Sequence, residues 1–166
     1  VLKHWTSEDY ENLKNAVTFR DLSIIALKIL NRQYNYVKSK PAKYAIQEIF
    51  QVCGPITNGG NGRIENLKIF KKVIKKLIEN GWAIFDQIPF EDKLAEIVNK
   101  PNNPEPQLLE EFYLPIFQSG KITCLLFLPG WQESFGANWE FEQAKRLGLL
   151  YLPLSESFCS GPRPRQ

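Results

Sequence analysis

From Ile122 to Leu128 the chain is apolar apart from Thr123, and the run stops at Pro129-Gly130. Seven residues are too few for a helix. The segment that follows repeats apolar residues at Ala137, Phe141, Ala144 and Leu147 before Gly148, which is helical spacing. The stretch therefore reads as a buried strand, a loop and a helix. In open α/β sheets ligands sit beyond the carboxyl ends of strands, so Trp131, Glu133, Ser134 and Glu140 fall where chemistry is usually done.

The rest of the chain repeats that alternation. Ile49, Phe50, Val52 and Cys53 make a first short apolar run, interrupted by Gly54-Pro55-Ile56-Thr57-Asn58-Gly59-Gly60-Asn61-Gly62-Arg63. A long helix is expected from about residue 64 to 80, closed by Gly81. Its lysines, Lys71, Lys72, Lys75 and Lys76, form a solvated face opposite an apolar stripe, with no interleaved aromatics to suggest a nucleic-acid polymer. Trp82-Ala83-Ile84-Phe85 gives a second strand, and Asp86, Glu91 and Asp92 lie just past its end. Proline-rich residues 99–106 read as a surface loop. A helix from about residue 107 contains Leu108, Leu109, Phe112 and Ile116, with Pro115 kinking or ending it. Leu149-Leu150-Tyr151-Leu152-Pro153 supplies a fourth strand, and residues 155–166 read as a frayed tail. Strands alternating with helices indicate an α/β fold, a parallel sheet of four to five strands covered on both faces. A strand, a glycine-rich turn and a helix in that order suit an anion, although the turn matches neither GxGxxG nor GxxxxGK[ST].

Ahead of this lies an N-terminal helical extension, residues 1–44, with the α/β domain taken as 45–166. Asp21 is expected to cap a helix bearing Leu22, Ile25, Ala26, Ile29 and Leu30, preceded by a weaker helix around residues 7–17. Residues 31–42, polar and tyrosine-rich, read as a connector, and His4 as an exposed side chain. With 166 residues, 43% of them hydrophobic, the chain can bury one core and lacks the apolar span a membrane helix needs. Cys53, Cys124 and Cys159 show no metal-ligand spacing and are expected to be reduced thiols. With no secretory signal visible at the start, the expected location is cytoplasmic.

Several of these segments together resemble one family. Val52-Cys53-Gly54-Pro55, the glycine turn, Glu65-Asn66-Leu67, Asn80-Gly81-Trp82, Leu128-Pro129-Gly130-Trp131, and Ser134-x-Gly136-Ala137-x-x-Glu140 are similar to the nucleoside 2-deoxyribosyltransferase superfamily. The nearest part of it is the uncharacterised bacterial branch carrying LPGW and SxGAxxE, which is related to 2'-deoxynucleoside 5'-phosphate N-hydrolase. The resemblance covers about residues 51–153. It implies a flavodoxin-like (Rossmann-like) sheet, a homodimer, and a small-molecule nucleoside or nucleotide as substrate. It also implies an N-glycosidic bond reaction, hydrolysis or deoxyribosyl transfer, that uses neither metal nor organic cofactor. Glu140 matches the nucleophile that attacks C1'; in a reaction of this kind Asp86 or Glu133 is the candidate proton donor to the leaving base. Gly54 and the Gly59-Gly60 turn, with Pro55 and Ile56 between them, match the loop that wraps the substrate. Ser134 and Gly136 match positions near the substrate's phosphate or sugar, Ser134 being equally an N-cap, and Trp131 is either a stacking surface for a base or core filler. The chain departs from the pattern at Gln51, where many members carry tyrosine, and at Thr123, where aspartate is common. The family's base-contacting acidic residue has only Glu110 or Glu111 as counterparts. The other reading is a nucleotide-binding or sensing module that keeps the cleft without the chemistry.

Overall fold

The structure, a computed structural model, describes residues 2–41 and 46–160. Four parallel strands, β1 (Ile49–Cys53), β2 (Ala83–Ile84), β3 (Cys124–Phe127) and β4 (Leu150–Pro153), form one sheet in the order β2-β1-β3-β4. This is a flavodoxin-like α/β arrangement. The chain steps outward from β1 to β2, then crosses to the other side of β1 to lay down β3. The strand order reverses between β1 and β3, and the crevice at their carboxyl ends is the expected ligand position.

Alternation along β1 divides the core in two. Ile49 and Cys53 face a layer that holds α2 (Phe19–Ser39), α4 (Glu91–Val98), α6 (Leu114–Gln118) and α7 (Phe135–Leu147). Val52 faces the opposite layer, with Phe70, Val73, Ile74 and Leu77 of α3 (Arg63–Glu79). α5 (Glu105–Leu108) leads towards α6, and α8 (Glu156–Ser160) returns against α3. On α8, Phe158 and Ser160 offer carbonyls that accept from Lys76 at 2.6 Å and Lys72 at 3.2 Å. Two of the four expected solvated lysines are therefore tethers. The frayed reading of the tail holds no further than Ser155, because residues 156–160 are helical; Gly161, Pro162 and Pro164 lie outside the described residues.

The amino-terminal helices differ from expectation in two ways. Thr18, not Asp21, is the N-cap of α2; Asp21 is its capping-box partner, accepting the Thr18 N–H while its own N–H donates to Thr18 Oγ1. The same box at Thr6 and Asp9 opens α1 (Ser7–Asn15). α2 also runs to Ser39, through the segment read as a connector. No proline interrupts it before Pro41, and Leu30, Gln33 and Val37 continue its buried stripe. Gln33 donates from Nε2 to the Ile84 carbonyl at 2.9 Å, capping the β2 edge. His4 is half-buried against Tyr36 (ring centroids 5.1 Å apart), and its carbonyl accepts from Arg32.

Candidate active site

The π turn at Leu109–Tyr113 contributes one wall of the site. Pro115 has no N–H to return to the carbonyl of Glu111, and just before it the Leu114 N–H reaches back five residues to the Leu109 carbonyl. The extra residue leaves Phe112 and Tyr113 both buried, and Tyr113 donates its hydroxyl proton to Glu91 Oε1 at 3.1 Å. Glu91 opens α4 on the same inward stripe as Leu94 and Ile97. Its neighbour Asp92 points into solvent, 3.6 Å from Arg63 Nη2.

α7 supplies the second carboxyl. Ser134 caps it, accepting the Ala137 N–H at 3.3 Å, and Ala137, Glu140 and Ala144 form its buried face. Glu140 is only 6% exposed and meets the Cys53 thiol at the carboxyl end of β1. A place in the first turns of a helix favours the ionised form of Glu140. Burial outweighs that and raises its pKa to about 8; the Cys53 hydrogen bond opposes the rise and the charge of Glu91 adds to it. Burial likewise lifts Glu91 to about 7, against the hydrogen bond from Tyr113 and the charge of Arg63, with Asp92 adding to the rise. Tyr113 and Cys53 are pushed well above their usual values, first by burial and then by the carboxyls beside them. Glu140, Glu91, Tyr113 and Cys53 thus form one polar cluster at the point where the strand order reverses.

Unpaired polar atoms surround it. The Gln51 side chain lies on the same face of β1 as Cys53, fully buried, and neither its oxygen nor its nitrogen has a partner. Gln87 donates to the Val52 carbonyl at 2.7 Å but leaves Oε1 unpaired, and Arg63 leaves Nη1 unpaired. Such atoms each cost about 1–3 kcal/mol unless something polar meets them.

The other expected residues are distributed around this cluster. Gly54 packs against Leu128, where an added Cβ would come within 2.9 Å of that side chain. Gly59 has φ +77° and presses against the Glu133 backbone; a Cβ there would lie 3.0 Å from the Glu133 carbonyl oxygen. Asn66 of α3 ties the turn together. Its Nδ2 donates to the carbonyls of Ile56 and Gly59 at 3.0 and 3.1 Å, and its Oδ1 accepts the Asn61 N–H at 3.0 Å. Pro55, Gly60, Asn61, Asn66 and Lys72 border a cavity of about 440 Å³ on the α3 side of the sheet. Trp131 packs between Phe127 and Phe141, with ring centroids 4.9 and 4.8 Å away, as core filler on the α7 side. Gly136 lies beside Leu109. Glu133 is exposed, in the short turn Trp131–Glu133.

Asp86 stands apart from Glu140. It accepts the Ile88 N–H at 3.0 Å and lines a cavity of about 370 Å³ at the β2 edge with Trp5, Tyr36 and Trp82; burial raises its pKa, against that hydrogen bond and Lys71. Neither of these two cavities is lined by Glu140.

Sequence reasoning does not single out Tyr113, names Asn66 only within the Glu65-Asn66-Leu67 segment and with no role, and has Glu91 only as one of three acidic residues past β2. For Asn66 and Glu91 a signal existed. Asn66 precedes Phe70 by four positions, and Glu91 precedes Leu94 by three, so each is a polar residue on an apolar helical stripe.

No family model, curated protein or solved structure matches this chain. Among the described residues no cluster of three or more His, Cys, Asp or Glu side chains could hold a metal ion, and no helix is long and apolar enough to cross a membrane.

Proposed function

We propose that the protein breaks N-glycosidic bonds of nucleosides or nucleoside monophosphates, by hydrolysis or by transfer of the sugar to a second base, with Glu140 as nucleophile. The observation that carries the reading is the placement of Glu140. It is a carboxyl held out of water at the sheet's reversal point, next to a second buried carboxyl. An isolated buried carboxyl is costly, and strongly shifted groups gather where chemistry is done. A carboxylate there would bond to C1' while its charge offsets the positive character the sugar ring acquires as the base leaves. The order Ser134-x-Gly136-Ala137-x-x-Glu140 and the glycine turn supply the sequence side of the argument.

The test is release of free base from deoxynucleosides and their 5'-monophosphates by wild type and Glu140→Gln. Loss of at least about 10³-fold in the variant is expected. Equal release by both proteins would remove Glu140 from the mechanism. A second reading, a nucleotide-binding module without chemistry, is favoured by the separation between the glycine-turn cavity and Glu140. It predicts nucleotide binding with no base release by either protein.

A further inference from the structure

We propose that Glu91 is the second carboxyl of this reaction, the group that protonates the departing base, and that Tyr113 is its positioning residue. The inference rests on the reading of Glu140 as nucleophile and replaces both donors that the sequence suggested. Glu133 is exposed, and Asp86 faces the β2 edge, bound to the Ile88 N–H. Glu91 is the acidic residue from the loop beyond β2 that turns inward, 7% exposed, while the next residue, Asp92, points into solvent.

Its orientation is fixed from two sides. The Tyr113 hydroxyl donates to Oε1, and among the described residues no hydrogen bond engages Oε2, which leaves that oxygen to carry the transferable proton. The backbone carbonyl of Glu91 accepts from Arg63 Nη2 at 3.2 Å, which ties the start of α4 to the start of α3. The charged and titratable groups around Glu91 are Tyr113, Arg63, Asp92 and Glu140, and those around Glu140 are Cys53, Glu91 and Tyr113. The π turn has a purpose in this arrangement, since it is the irregular turn that carries Tyr113.

The steps balance. Glu140 Oε bonds to C1' as the C1'–N bond breaks, and the electron pair of that bond goes to the base nitrogen, which takes the proton from Glu91. A water then attacks C1', Glu91 takes back a proton from it, and the C1'–O bond to Glu140 breaks to regenerate the carboxylate. When a second base replaces water, it delivers that proton instead. The competent pair holds one proton between two carboxyls. Because Glu140 holds its proton more tightly than Glu91, the competent arrangement, Glu91 protonated and Glu140 ionised, is the minor form of that state. The state as a whole is most populated between about pH 7 and 8, which predicts a bell-shaped rate profile whose acid-side limb follows the lower value, that of Glu91.

The test compares a deoxynucleoside with 4-nitrophenyl 2-deoxyriboside, whose leaving group departs as an anion and needs no proton. Glu91→Gln is expected to lose about 10²–10⁴-fold on the deoxynucleoside. Its first-turnover burst of 4-nitrophenolate should stay within about tenfold of wild type. Glu140→Gln should lose both reactions. Tyr113→Phe removes a hydrogen bond that favours ionised Glu91, so the acid-side limb of the profile should move to higher pH; a purely structural role would leave it in place. The proposal fails if Glu91→Gln slows both substrates equally or neither. Should Glu91→Gln not fold, by circular dichroism, an unmoved limb in Tyr113→Phe overturns it. A wild type inert on both substrates instead refutes the glycosidic reading itself, and this inference with it.

Discussion

Adjacent residues of β1 look into opposite halves of the molecule. On the Cys53 side, four polar groups are sealed under α7, α4 and the π turn. On the Val52 side, past the end of the strand, the glycine turn borders a cavity with Asn66 and Lys72 in its wall. The sealed side holds its titratable groups away from water and so shifts them. The open side is lined by the Asn61 and Asn66 amides and the Lys72 side chain. What separates the halves is cover, since both lie at the carboxyl end of the same strand. The sealed half carries two carboxyls suited to moving protons, at a cost in stability, and the open half offers backbone and amide donors that cost little.

The comparison breaks most sharply through pH. Glu140 and Glu91 have folded pKa values above their unfolded ones, so between about pH 4.5 and 8 the folded chain binds more protons than the unfolded chain. Stability contributed by the protonated carboxyls is complete below their unfolded values and drains away as pH rises through 7 and 8. For Glu140 the loss by pH 8 is on the order of 5 kcal/mol. Glu140→Gln removes that dependence and should unfold at higher urea than wild type at pH 8, with little difference at pH 5. A wild-type urea midpoint that is flat across this range would mean the carboxyl is solvated, and the contrast between the halves would disappear.

The open half should respond differently. Asn66→Ala removes three hydrogen bonds from the glycine turn and leaves the Ile56 and Gly59 carbonyls to find water, a loss of about 2 kcal/mol. The loss should be the same at pH 5 and pH 8, because no titratable group takes part. A pH-dependent loss in thermal melts would show that the two halves are coupled through β1.

How much of this could be read from the residues follows from what each feature depends on. The strands and α3 were legible because their apolar periodicity is local, and the site's position followed from strand–loop–helix order. The protonation of Glu140 was not legible. A glutamate at helix position six reads as helped by the dipole, and only the helices packed around it, from distant parts of the chain, reverse that. The π turn was visible only as Pro115, a residue that announces a defect without saying which side chain the defect will turn inward. The apolar pattern of α2 is legible only to residue 30 because its later turns carry more polar residues, although Gln33 and Val37 continue the stripe.

The smallest expected effect tests the link between the halves and the helix that bears the nucleophile. Ser134 closes the turn beyond β3 and accepts the Ala137 N–H in the first turn of α7, while the Gly59 turn from the open half presses against the preceding residue, Glu133. Ser134→Ala should cost about 1 kcal/mol, the usual worth of such a cap. If the cap only ends a helix, base release should fall no more than the folded population does. If it also sets the direction in which α7 presents Glu140, turnover should fall further while substrate binding, measured on the Glu140→Gln background, stays unchanged. Ser134→Thr, which keeps the acceptor oxygen, should recover the rate in the second case, because orientation depends on the hydrogen bond and tolerates the added methyl.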